Sequence, residues 1–167
     1  MAIYKFVLEM KKVLGNIDRC FDKAAAHATA KKFDVDTLIH ARLAPDMLPL
    51  SNQVWILCDT AKFAAARTSG KDAPSHPDTE KTIAELRQRI ATVIAYLDGF
   101  KASDFEGSDD RRISLPRWEG KSMSSTDYFI EHAVPNFFFH ATTTYNILRH
   151  NGVEVGKRDY LGQMSMS

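Results

Sequence analysis

His140, inside the segment PNFFFHATTTYNILRHNG that spans residues 135–152, is the side chain in this sequence best equipped for chemistry. Imidazole can ligate a metal as a neutral donor, shuttle protons near neutral pH, or hold a hydrogen bond inside a core. Asn136 stands four residues before it and His132 four before that, a spacing that sets all three on one face of a helix. Three readings of His140 are open. The simplest makes it a hydrogen-bonded core or pocket histidine partnered by Asn136, whose amide fixes the imidazole tautomer and satisfies both polar groups. The second makes it a metal ligand, which calls for companions, because three neutral imidazoles hold an ion firmly whereas one histidine and an amide do not. The third makes it an acid–base group.

Further polar residues stand out against an apolar background. Arg42 and Asp46 lie in the proline-bounded turn HARLAPDM and are candidates for ligand binding, reaching over a bundle mouth to orient a carboxylate or carbonyl. An ion pair, or a cap with Asp46 at the positive end of the following helix, explains them without any function and is the expectation. Tyr145 and His40 are candidate pocket-lining residues, although polar aromatics on helix faces are usually boundary residues. Cys20 and Cys58 lack CxxC spacing and read as small core residues of a reduced protein rather than a disulfide. A reactive thiol needs an electropositive, partly exposed setting. No serine nucleophile motif, phosphate loop, dinucleotide fingerprint or pair of catalytic carboxylates is present.

These side chains must be positioned by helices. Ile3, Val7, Met10, Leu14, Ile17, Phe21, Ala24 and Ala28 recur every three or four residues, which predicts one amphipathic helix over about 3–31. After Pro45 and Pro49, a second helix is predicted over 51–69, stopped by Gly70. Asp78 or Thr79 is the expected N-cap of a third, with Ile83, Leu86, Ile90, Val93 and Leu97 as its buried stripe. Gly107, Asp109, Asp110 and Pro116 then break the pattern, so 102–123 is predicted as an irregular crossover with a small hairpin pairing 113–115 with 121–123. Ser124 or Ser125 opens a last helix running to His150, kinked at Pro135. The fold class is therefore all-α, a four-helix bundle with a long crossover between helices three and four. One domain over 1–167 is expected, with 152–167 as a surface tail.

Composition narrows the partners. The chain has 167 residues, 44% hydrophobic and 26% charged, the balance of one globular domain. At this length roughly 70% of the unfolded surface can be buried, so the core needs no structural metal or disulfide. A net charge of +1 gives no basic face for nucleic acid or an anionic membrane, so neither is expected as a partner. Lys5, Glu9, Lys11 and Lys12 interrupt the apolar start, which reads as a helix and not a signal peptide, and a cytoplasmic location is expected. Phe137, Phe138 and Phe139 point about 100° apart on a helix, so they cannot all face the core. An exposed aromatic makes a homodimer the expected assembly.

The order of elements, the lead-in APDMLPL, the pattern His140, eight residues, Leu148-Arg149 and Gly152, and the segment GKRDYLG resemble the DinB/YfiT-like superfamily of metalloenzymes. More narrowly, nearly the whole chain resembles a branch known as a domain of unknown function. The resemblance implies a bundle whose metal-binding members carry one histidine on helix two and two, four residues apart, on helix four. In that pattern His140 takes the second place of the pair, while Asn136 occupies the first. Helix two, SNQVWILCDTAKFAAARTS, has no histidine, and only Gln53, Cys58 or Asp59 could stand in. The expectation is a bundle without the full three-histidine site and without a cofactor, binding a small ligand through Asn136, His140 and Gln53. The alternative is an enzyme of transferase or hydrolase type acting on a small thiol or electrophile through His140, with a zinc, nickel or manganese ion. An enzyme calls for an open polar pocket around these residues; a non-catalytic bundle calls for the same residues bonded to one another without open volume.

Overall fold

The computed structural model describes residues 2–166. The first predicted helix is α1, Ala2–Lys31. Its stripe from Val7 through Met10, Leu14, Ile17, Phe21 and Ala24 to Ala28 is at most 2% exposed, as a helix at the centre of a bundle requires. A 3-10 turn, Val35–His40, leads to α2, Leu50–Ser69.

Gly70 ends α2 in the left-handed region, at φ 77°, with its N–H on the Ala66 carbonyl at 2.8 Å. A Cβ added there would meet the Arg111 guanidinium, 1.5 Å away. Gly70→Ala is therefore expected to destabilise the protein by about 1–2 kcal/mol, the cost of a left-handed L-residue. The check is a lower urea midpoint with an unchanged m-value.

Helix α3, Ile83–Leu97, begins later than expected. Its N-cap is Thr82, not Asp78 or Thr79, because Thr82 and Glu85 form a capping box: the Thr82 hydroxyl accepts from the Glu85 N–H at 3.1 Å and the Glu85 carboxylate accepts from the Thr82 N–H at 3.1 Å. Asp78 is drawn instead to Arg89, 2.9 Å away.

The crossover contains the hairpin, with β1, Arg112–Ile113, antiparallel to β2, Met123–Ser124. Ile113 lies opposite Met123, and Leu115 has already left the ladder to start the 3-10 turn Pro116–Trp118. Pro116 explains the early exit, since it fixes φ and has no N–H to donate.

The last bundle helix differs from the expected kinked rod. Ser124 caps α4, Ser125–Asp127, and a π-helical turn, Tyr128–Ala133, joins it to α5, Val134–His150. Val134 donates to the Phe129 carbonyl five residues back. Pro135 can make no such bond and crowds the turn before it, and the widened turn absorbs that conflict. Within α5, Phe137 is fully buried, Phe138 is partly buried against the core and Phe139 is 54% exposed.

The expected surface tail is instead anchored to the bundle. Val153 and Val155 are 0% and 4% exposed, and α6, Lys157–Leu161, packs on α1. The Tyr160 carbonyl accepts from Asn16 Nδ2 at 2.7 Å, and Asp159 pairs with Lys23 at 2.8 Å. Two apolar residues, three and five places past the helix end, suffice to pull the chain back onto the core. Ser167, the last residue of that tail, lies outside the described residues. Helix α2 packs on both α5 and α3, and α1 packs on α3, α5 and α6. No helix among the described residues is long and apolar enough to cross a membrane.

Candidate functional site

Two helical stripes face each other across a cleft of about 620 Å³. Tyr128, His132, Asn136 and His140 recur every four residues along the last bundle helix, and Ile56, Thr60, Phe63 and Arg67 recur every three or four along α2. The crossover closes one side with Leu115, Pro116 and Arg117. Three hydrogen bonds align the stripes. Arg67 donates to the Tyr128 hydroxyl at 3.0 Å, Asn136 Nδ2 donates to the Thr60 hydroxyl at 2.7 Å, and His140 Nδ1 lies 2.7 Å from Gln53 Oε1. Numbers fall along α2 as they rise along α5, so the two helices run antiparallel.

The pairing of Asn136 with His140 does not form. Side chains four apart on a helix stand side by side and each reaches across to the neighbouring helix, so Asn136 meets Thr60 and His140 meets Gln53. The amide that fixes the His140 tautomer is therefore on α2. Gln53, 1% exposed, donates its Nε2 to the Leu48 carbonyl at 2.9 Å. A carbonyl only accepts, so Gln53 must turn Oε1 toward His140, and His140 Nδ1 must carry the proton. Nε2 then holds a lone pair and has no hydrogen-bond partner among the described residues. Burial pushes the imidazole from its ordinary value of 6.5 down to about 4, so it is neutral at physiological pH.

The same logic fixes His132. Its Nε2 contacts the Arg117 guanidinium, which has no lone pair, so Nε2 accepts and Nδ1–H is left buried without a partner among the described residues. Burial, then the charges of Arg117 and Arg67, lower its pKa. His132 stacks on Tyr128 with centroids 5.4 Å apart and an interplanar angle of 16°, and Trp118 sets its edge against both rings. Arg67 lies over the Phe63 ring, 4.4 Å from its centroid.

A three-histidine metal centre does not fit this donor set. Gln53 Oε1 is already bonded to His140, and Cys58 is fully buried with its thiol pushed up to about 12. Asp59 is committed to Lys62 at 2.8 Å and Arg89 at 3.0 Å. Among the described residues no three of His, Cys, Asp and Glu converge to hold an ion.

Arg42, Asp46, Tyr145 and His40 lie outside the cleft. Arg42 donates to the Met47 carbonyl across its own turn. Asp46 neither pairs with it nor caps α2, whose N-cap is Pro49 without a side-chain bond, because the turn already satisfies Arg42 locally. Tyr145 packs on Tyr160 and donates to the Val155 carbonyl at 3.4 Å, holding the C-terminal segment. His40 is exposed at the end of its 3-10 turn. Sequence reasoning missed Tyr128, Arg67 and Thr60, and extending the four-residue ladder one step back from His132 would have reached Tyr128.

Residues 3–161 match the family model described as a domain of unknown function, DUF1993. A crystal structure of a DinB family member protein from Shewanella denitrificans is 53% identical over 96% of this chain and 92% of that chain, with a TM-score of 0.93. No curated protein shows a significant match. A family model spanning α1 through α6 and a neighbour of this likeness show that the chain belongs to the DUF1993 family of DinB-like helical bundles.

Proposed function

We propose that the cleft between α2 and α5 binds a small molecule through the neutral imidazole of His140, without the superfamily's three-histidine metal site. The directed chain from the Leu48 carbonyl through the Gln53 amide to His140 carries this reading, because it presents Nε2 as a fixed acceptor to a ligand hydroxyl or N–H. The open volume of about 620 Å³ supports it too, lying within the range of small-molecule pockets, about 300–1,000 Å³. Binding is favoured over acid–base catalysis by the same imidazole. A pKa of about 4 makes it a weak base, whereas a general base works best near the operating pH.

Nitrogen NMR of the histidine rings tests the proposal. At neutral pH, His140 is expected as the Nδ1–H tautomer with a free Nε2. Small phenols and alcohols are expected to shift Nε2, while dialysis against zinc or nickel leaves it in place, and Gln53→Ala mixes the tautomers. An Nε2–H tautomer, or a stoichiometric metal-bound shift, would sink the reading.

A further inference from the structure

We propose that the ligand of this cleft is a small organic anion whose oxyanion head, carboxylate or phosphate, is held between Arg67 and Arg117. The inference deepens the reading of the cleft as a ligand site and rests on it. The other arginines that are buried or half-buried are matched by acids: Arg87 pairs with Asp18 and Asp22, and Arg89 with Asp59, Asp78 and Glu80. Arg67, half-buried, and Arg117, exposed on the crossover at the cleft, differ. Among the described residues neither forms an ion pair, and the groups that hold them are neutral: the Tyr128 hydroxyl and the rings of Phe63 and Tyr128 for Arg67, the His132 imidazole for Arg117. The Tyr128–His132 stack is thus flanked by two guanidinium groups.

Charge balance inside the cleft points the same way. Asp59 is the only carboxylate on its wall among the described residues, and it is already engaged by Lys62 and Arg89. Arg67 and Arg117 thus have no carboxylate partner among the described residues and sit beside the apolar walls of Phe63, Leu115 and Pro116. Guanidinium offers a planar fork of donors that matches carboxylate and phosphate oxygens, and low-dielectric walls strengthen the attraction. Each arginine spends one hydrogen bond on a neutral anchor, which orients it and leaves its other N–H groups for a ligand. A cation would meet like charge, and a neutral molecule would leave both forks unused. The body of the anion would lie on Phe63 and extend toward His140, so the best ligand carries an oxyanion at one end and a hydroxyl or amine at the other.

Calorimetry at low salt with 4-hydroxybenzoate, 4-hydroxyphenyl phosphate, 4-hydroxybenzamide and 4-hydroxybenzylamine tests this, with His140 NMR shifts showing where each probe sits. The anions are expected to bind about tenfold or more tighter than the amide, the worth of one charge-assisted hydrogen bond. Added salt should weaken the anions alone. Arg67→Gln and Arg117→Gln should each weaken the anions far more than the amide and so remove most of that preference. The ratio of benzoate to phosphate identifies the head. If the amide or the amine binds as well as the anions while His140 still responds, the anion class is wrong and the ligand site stands. An anion preference that survives both substitutions overturns the role of the arginines. If no probe moves His140, both this inference and the ligand site fall.

Discussion

Arg89→Met is expected to destabilise the protein by about 3 kcal/mol or more, the cost of breaking a buried ion cluster from one side. Arg89 is 4% exposed on α3 and reaches three carboxylates, Asp59 at 3.0 Å, Asp78 at 2.9 Å and Glu80 at 3.2 Å, together with the Pro77 carbonyl at 3.2 Å. Lys62, 1% exposed on α2, supplies the second cation, bonding Asp59 at 2.8 Å and His76 Nδ1 at 3.2 Å. Burial and the two cations lower the His76 pKa, which keeps it the neutral acceptor that Lys62 needs. Methionine replaces the apolar stem of the arginine but leaves three acids facing one lysine. Asp78 and Asp59 are 51% and 32% exposed and can rehydrate, which holds the loss toward the lower end of the range; Glu80, at 14%, cannot. The segment between α2 and α3, pinned by Pro77, Asp78 and Glu80, should become sensitive to proteolysis in the variant. Urea unfolding measures the main effect, and a loss below about 1 kcal/mol would reduce the cluster to the level of ordinary surface pairs.

The parts of this fold legible in the sequence are those decided locally. The apolar stripe of α1, the left-handed stop at Gly70 and the hairpin around Ile113 and Met123 each depend on neighbours in the chain, and each is found within a few residues of its expected place. The capping box at Thr82 was equally local, and the earlier Asp78 and Thr79 obscured it. The site divides along the same line. His140 and Asn136 could be singled out by type and spacing and Gln53 through the family resemblance, but their partners depend on how α2 lies against α5, which no periodicity encodes. Arg117 comes from the crossover and meets His132 only through tertiary closure. The π turn arises from Pro135 meeting a packed helix face, so its place follows from the whole bundle. Of the two patterns distinguished at the outset, the cleft combines elements of each. Gln53 and His140 are bonded to one another, as a non-catalytic bundle requires, yet the volume beside them is open.

Acid should expose the neutral state of His140 as a stability term. Folded His140 titrates at about 4 and the unfolded residue near 6.5, so between those values the unfolded chain binds the extra proton. Stability from this group is therefore complete above about pH 6.5 and is lost as pH falls toward 4, with a limiting slope of about 1.4 kcal/mol per pH unit and a total of at most about 3 kcal/mol. His132 and His76 are also lowered and act in the same direction, and the depressed carboxyls of Asp104 and Asp159 add to the loss at still lower pH. The informative quantity is thus the difference between the wild type and His140→Gln, measured by urea unfolding at each pH. That difference is expected to change by most of the 3 kcal/mol between pH 6.5 and 4 and to level off on either side. A flat difference would mean that His140 titrates alike in both states, which is incompatible with a buried imidazole locked as a donor to Gln53. The Nε2 lone pair that defines the cleft exists only while the ring stays neutral, so one curve reports both the energetic cost of charging this residue and the pH below which its acceptor is lost.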